Sequence, residues 1–89
     1  MAEDYKQQNI TLEGRRKLNI TGVKEVENFD DNGIVLITDL GTLAIKGTEI
    51  KIEKLNLDSE EISATGDFYS IEYISDESSR HTLFSRMFR

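Results

Sequence analysis

Short runs of alternating apolar and polar residues occupy most of this 89-residue chain and restrict it to a sheet-based fold. Successive side chains of a β-strand point to opposite faces, so each run matches a strand with one buried face. The alternating positions are Leu18 and Ile20, Leu43 and Ile45, Ile50 and Ile52, Ile62 and Ala64, and Tyr69, Ile71 and Tyr73. By contrast, every residue from Ile34 to Ile37 is apolar, which indicates a central strand covered on both faces.

Glycine and Asn or Asp residues lie between these runs and predict the turns. Asn32 and Gly33 form the pair that tolerates positive φ at both central positions of a type I′ turn, so we expect a hairpin there. Gly41 and Gly47 predict two further reversals, and residues 57–60 predict a polar turn. The apolar phase changes beyond Ile52, which predicts a β-bulge at residue 53 or 54.

These features predict an all-β fold with seven or eight short, mainly antiparallel strands in a small barrel or two-layer roll. A chain of 89 residues has enough apolar surface for one core. We expect a polar N-terminal extension at 1–8, a β domain at 9–74, and a linker with an apolar and basic C-terminal segment at 75–89. This last segment is compatible with a short helix.

Composition excludes several functional classes. The net charge of −6 argues against nucleic-acid binding, which needs clustered Lys and Arg. The chain has no cysteine, so it cannot form a disulfide or a thiolate metal site. It also has no apolar run long enough to cross a membrane, and its N-terminus is polar, so we expect a cytoplasmic protein.

Candidate catalytic and metal-binding residues form poor patterns. Residues 28–39 resemble a calcium loop only formally, because the first position is Asn28 and the twelfth is Asp39 where a bidentate Glu is needed. His81 is the single histidine and has no cysteine or second histidine to share a metal. An enzyme using Asp30, Asp31 or Asp39 is the weakest hypothesis. We therefore predict no enzyme activity and no cofactor.

The C-terminal segment is the most unusual feature of the sequence. Residues 78–89 contain three arginines and no acid, whereas all 17 acids lie before them. On a helix the apolar residues would share one face, which is typical of an anchor. Three roles stay open: docking onto its own sheet, insertion into a partner or another subunit, and peripheral contact with an anionic membrane, which is not favoured. The predicted partner-binding residues are Leu83, Phe84, Arg86, Met87, Phe88 and Arg89.

Short blocks spread along the chain carry a family resemblance. They are NITLEGR at 9–15, LNITGV at 18–23, TDLGTL at 38–43, IKG at 45–47, LNL at 55–57, Ile62, Gly66, SIEY at 70–73, and Leu83, Phe84, Ser85, Arg86 and Phe88. Together these blocks resemble the YabP family of sporulation proteins. None of them is a catalytic signature.

The resemblance implies a process rather than a chemistry. It implies a protein made during endospore formation, in the mother-cell compartment, with a role in building the spore envelope. From it we expect a non-catalytic assembly protein that binds itself and another spore-envelope protein. The alternative is a small ligand-binding or regulatory β domain, which a deep apolar pocket with converging polar groups would favour.

Overall fold

The computed structural model describes residues 7–74, which form one sheet of six antiparallel strands with no helix among them. The all-β prediction is therefore confirmed for this part of the chain. The strands are β1 (Ile10–Glu13), β2 (Lys17–Thr21), β3 (Val23–Asp30), β4 (Gly33–Thr38), β5 (Gly41–Asn56) and β6 (Glu61–Ile74).

The sheet curls strongly because of its strand order, β1-β2-β6-β5-β4-β3. Strands β2 and β3 stand four places apart in this order, which would separate them by about 19 Å in a flat sheet. Gly22 alone joins them along the chain, and two residues of backbone span at most about 7 Å. The sheet must therefore bend until the end of β2 meets the start of β3.

The bend lies within the two long strands, β5 and β6, each of which changes partner along its length. Residues 61–65 of β6 pair with β2, whereas residues 41–46 of β5 pair with β4. We call β1, β2, 51–56 and 61–65 the first half of the sheet, and β3, β4, 41–46 and 70–74 the second half. Register shifts between β5 and β6 separate the two halves.

Gly47 allows the close approach of β5 and β6 at the bend. A Cβ atom at this position would overlap the carbonyl oxygen of Asp67 and lie 3.1 Å from the Cα of Phe68. Both neighbours are backbone atoms, so no side-chain rotation can make room. A glycine is required here by space alone.

One hydrophobic core joins the two halves. Phe68, next to the bend, is fully buried, and its neighbours come from both halves. Since the side chains of both halves meet in one cluster, each half has one face toward the core. The buried cluster comprises Leu18, Ile20, Val23, Ile34, Leu36, Leu43, Ile45, Ile50, Ile62, Ala64 and Phe68.

The predicted count of seven or eight strands is not confirmed, because residues 7–74 form six and Gly47 lies in a register shift within β5, not in a reversal. The two runs on either side of Gly47 are one strand, and the runs on either side of Gly66 are likewise one strand, β6. The predicted barrel or roll is not confirmed either, since the strand order is that of an open sheet with β1 and β3 at its edges. The predicted bulge is confirmed at Glu53, which the β5–β6 register skips.

The hairpin between β3 and β4 is confirmed, but the predicted cause of its turn is wrong. Asp30 pairs with Gly33, so the two loop residues are Asp31 and Asn32. Neither Asn32 nor Gly33 has positive φ. Instead, Oδ1 of Asp30 accepts hydrogen bonds from the backbone N–H groups of Asn32 at 2.7 Å and Gly33 at 3.1 Å. The turn is therefore held by the Asp30 carboxylate.

Lys24 fixes the opposite end of the molecule, where β2 passes into β3. Its ammonium group forms an ion pair and hydrogen bond with Glu60 and lies 3.6 Å from Oδ1 of Asp39. The hydrogen bond to Glu60 raises the pKa of Lys24 above its ordinary value of 10.5. The backbone N–H of Val23 also donates to the carbonyl of Glu60 at 3.0 Å. These contacts hold the turns at 39–40 and 57–60 against the β2–β3 junction.

Candidate functional site

An open edge of the sheet runs along the second part of β6. Strand β2 pairs with residues 61–65 of β6 and ends there, so residues 70–74 are paired with β5 on one side. Among the described strands, none pairs with their other side. Strand β1, at one end of the strand order, has a free edge as well. Unpaired strand edges offer backbone donors and acceptors to another chain.

A groove of about 510 Å³ lies between the β1 region and this part of β6. Arg15 in the β1–β2 turn forms one wall. Its Nε donates to the carbonyl oxygen of Phe68 at 3.0 Å, and the N–H of Phe68 donates to the carbonyl of Arg15 at 2.9 Å. This pair of bonds fixes the turn against the bend. The lining residues are Leu12, Arg15, Phe68, Tyr69, Ser70 and Ile71.

The groove is apolar and exposed. Tyr69 is 61% exposed and Leu12 is 37% exposed. Tyr69 falls at the register shift between Lys46 and Gly47, where no residue of β5 stands opposite it. A bulge residue is turned away from the regular alternation, which accounts for its exposure. Tyrosine combines a large apolar ring with a polar tip, so it suits a contact that is partly wet.

Tyr73 extends this exposed surface toward the end of β6. It is 47% exposed although it pairs with the fully buried Leu43. Its hydroxyl group is hydrogen-bonded to the side chain of Gln8, whose Nε2 donates to the carbonyl of Thr21 at 2.8 Å. These bonds fix the ring of Tyr73 at the margin of the sheet. The surface thus offers two tyrosines and a leucine to a binding partner.

A second cleft, of about 580 Å³, lies at the bend and is lined largely by charged residues. Arg16 forms a salt bridge of 3.1 Å with Asp67 there, and both side chains are about half or more exposed. Glu49 has a φ of 54°, which is unusual for a residue with a side chain. Exposed ion pairs of this kind are screened by water and contribute little. The cleft lacks the buried, converging polar groups that a ligand pocket needs.

The predicted candidate residues are not brought together into a catalytic or calcium site. Asp30 caps the β3–β4 turn, whereas Asp39 lies at the other end of β4 beside Lys24. The six residues of β4 lie between Asp30 and Asp39 and separate them by about 20 Å. Within residues 7–74, no group of three or more His, Cys, Asp or Glu side chains is arranged to hold a metal ion.

Three consecutive basic residues, Arg15, Arg16 and Lys17, lie at the β1–β2 turn, and Arg15 has a structural role there. Arg15 holds the β1–β2 turn against the bend through its bonds to the backbone of Phe68, whereas the exposed ion pair of Arg16 with Asp67 adds little. The predicted partner-binding residues 83–89, and His81, lie outside the described residues. Their role stays a prediction. The groove at Leu12 and Tyr69 was not predicted, because alternation placed Tyr69 in a regular half-buried strand.

The comparisons with known proteins place the chain in a family. The model of the YabP family matches residues 4–80. This chain belongs to the YabP family. It is 29% identical over 85 residues to the protein named "Spore protein YabP" of Bacillus subtilis (strain 168), an alignment that covers 93% of this chain and 85% of the relative. The predicted resemblance is thus confirmed, although the family match ends before the block at 83–88.

The structure gives one further result on membranes. In the part of the chain that the structure describes, no helix could span a membrane.

Proposed function

We propose that this member of the YabP family is a non-catalytic structural protein of bacterial endospore formation. The name of its Bacillus subtilis relative, a spore protein, supports the role in sporulation. We further propose that it acts through contacts with itself and with another spore-envelope protein. The observation that carries this part is the exposed groove between β1 and β6, with open strand edges on both sides.

The groove suits the addition of an extended segment from a partner. Such a segment can hydrogen-bond to the free edge of β6 while its side chains contact Leu12 and Tyr69. Main-chain bonds supply affinity in this mode, and the apolar contacts supply selectivity. Large aromatic residues are enriched among the side chains that dominate binding at interfaces. Tyr69 is therefore the residue on which we expect binding to depend most.

The proposal extends to the compartment and to the range of partners. Endospore proteins that build the envelope from outside are made in the mother cell, as the family resemblance implies, so we propose the mother-cell cytoplasm. Residues 7–74 carry seven Lys and Arg against thirteen Asp and Glu. This acidic surface favours a basic or apolar partner over nucleic acid.

Self-association can be tested by sedimentation of the full chain from about 1 to about 100 μM. We expect a concentration-dependent oligomer, and Tyr69→Ser should raise its dissociation constant about tenfold or more, in line with a buried aromatic contact. Leu57→Ser is the matched control, because Leu57 is also half-exposed but lies in the β5–β6 turn. A strictly monomeric wild type, or equal effects of both variants, would remove the groove from the proposal.

The role in sporulation needs a cellular test. In an endospore-forming host that lacks its own copy, the wild-type chain should restore heat-resistant spores. Tyr69→Ser should restore fewer, while the control Leu57→Ser should restore them fully. If spore formation does not depend on the chain at all, the proposed process is wrong, whatever the sedimentation result.

A further inference from the structure

The second half of the sheet has an apolar face that points away from the core. Directly opposite residues of an antiparallel pair share a face, and Val35 stands opposite Ala44. The residues next to them along the strands, Ile34 and Ile45, belong to the core cluster. Val35 and Ala44 therefore project from the other side of the sheet, which we call the outer face.

The outer face is buried although no described strand packs on it. Val35 and Ala44 are each 1% exposed. Thr42 lies two residues from Ala44 on β5 and therefore shares its face, and so do the residues opposite it, Ile37 and Ile74. Ile74 is 9% exposed. The first half of the sheet cannot be the cover, because it packs on the core side. A sheet face left open to water would be polar and accessible.

The outer face of the first half of the sheet has that ordinary character. Asn19 stands opposite Ser63 there, and both side chains are polar and half-buried. The hydroxyl of Ser63 donates to Oδ1 of Asn19 at 2.6 Å. The two halves thus differ in their outer faces, and the second half requires an apolar cover.

We propose that residues 83–89 of the same chain cover the outer face of the second half. The chain leaves the described region at Ile74, which already lies on this face. Ala44 stands opposite Glu72, two residues before Ile74 on β6, so the Cα atoms of Ala44 and Ile74 are about 8 Å apart. The linker 75–82 can extend to about 26 Å, so it has ample length to reverse direction over the sheet.

The chemistry of the segment matches the chemistry of the face. Four of its seven residues are large and apolar, and no acid follows Glu77. The rim of the outer face carries two exposed acids and one base. Glu25 stands opposite Ile37 and Glu72 stands opposite Ala44. The base, Lys46, stands opposite Gly33. Arg86 and Arg89 can pair with these acids while the apolar side chains cover Val35 and Ala44.

A cover from the same chain is favoured over a second copy. A short flexible linker keeps residues 83–89 near the outer face at an effective concentration in the millimolar range. A second copy would compete equally only if the protein itself were at millimolar concentration. The segment at 1–6 fits less well, because it contains Glu3 and Asp4 and would bring acid to an acidic rim. The inference goes beyond the proposed function, and it assigns the predicted partner-binding residues to a contact within the chain.

Cysteine labelling tests the cover, because the chain has no cysteine of its own. In the full chain at about 1 μM, Val35→Cys should react with a thiol reagent at least about a hundredfold more slowly than the exposed control Lys17→Cys. Adding Phe84→Ser and Phe88→Ser should speed the reaction at least about tenfold. Removing residues 1–6 should leave the rate unchanged. Rapid labelling in the full chain, or protection that survives both serine substitutions, overturns the proposal.

Cross-linking of the folded full chain provides a measurement that does not depend on destabilised variants. A chain carrying Lys46→Cys and Met87→Cys should form an internal bridge with a short bismaleimide, at a rate independent of protein concentration. Lys17→Cys with Met87→Cys is the control, because Lys17 lies in the first half of the sheet, and it should not bridge. A product that links two chains assigns the cover to a second copy and overturns the proposal, as does the lack of any bridge.

Discussion

The substitution Gly47→Ala tests the physical reason for the bend in the sheet. The added methyl group would overlap the carbonyl oxygen of Asp67 and lie 3.1 Å from its carbonyl carbon. Because both are backbone atoms, relief requires β5 and β6 to move apart where their register already shifts. Overpacking of a well-packed site usually costs about 1–3 kcal/mol, and an unyielding backbone puts Gly47 near the upper value.

The expected loss of about 3 kcal/mol is large for a chain of this size. A domain of 60–100 residues loses about 4–8 °C of melting temperature for each kcal/mol, so the midpoint should fall by about 12 °C or more. Thermal and urea unfolding followed by far-ultraviolet circular dichroism measure this change. The comparison must be made at one protein concentration, because self-association would shift the midpoint.

Gly14→Ala is the matched control for the steric argument. Gly14 has a φ of +57° and no heavy atom within 4 Å of the position of an added Cβ. Alanine there meets only the backbone penalty of the left-handed region, about 1 kcal/mol. Gly47→Ala should therefore cost clearly more than Gly14→Ala. Equal or smaller destabilisation by Gly47→Ala would refute the claim that close approach of β5 and β6 requires glycine.

Three further predictions concern the polar contacts of the fold. Asp30→Ala should lower the free energy of unfolding, measured by urea titration, by about 1 kcal/mol. Asp30→Asn should lower it less, because the amide oxygen can still accept the hydrogen bonds of the β3–β4 turn. Equal losses would contradict the role of Asp30 in that turn. The raised pKa of Lys24 means that its contribution is fully present below pH 10.5 and lost as pH rises through the folded pKa. The melting-temperature difference between wild type and Lys24→Gln should thus vanish at high pH, and a constant difference would argue against the ion pair. Ser63→Ala and Asn19→Ala should show a coupling of about 1 kcal/mol in a double-mutant cycle, whereas additive effects would show that their bond contributes nothing.

The class of the fold could be predicted because it depends on short-range patterns. Alternation at Leu43 and Ile45 places both in the core, as the structure confirms. The run from Ile34 to Ile37 predicted a strand covered on both faces, and Val35 is buried away from the core. Each of these predictions needs only the identity of residues two or three positions apart.

The number of strands could not be predicted, because a glycine in a strand pattern has two meanings. Gly41 follows a tight turn between β4 and β5, where Thr38 Oγ1 donates to its carbonyl oxygen at 2.6 Å. Gly47 has similar neighbours in sequence but lies inside β5, since Asp67 approaches it from across the sheet. The difference depends on a residue twenty positions away. Local sequence does not contain that information.

The candidate site depends on the same long-range geometry. Tyr69 was predicted in regular alternation with Ile71, which would place it on one face of a straight strand. The register shift opposite Gly47 displaces it, and the displaced ring forms the groove with Leu12 from β1. The groove therefore exists because the sheet bends, and the bend follows from the approach of β5 to β6. The local sequence gives no signal that residues 12 and 69 line one groove.

The two halves of the sheet pose different requirements for burial, and this difference connects the fold to the C-terminal segment. Strand β2 alternates strictly, so its outer residues such as Asn19 are polar and can face water. Strand β4 does not alternate, so Val35 and Ile37 need a second apolar layer. Residues 7–74 contain no element beyond the six strands that could form it. The proposed cover by residues 83–89 would supply this layer from within the same chain and would bury four large apolar side chains of the sequence at the same time.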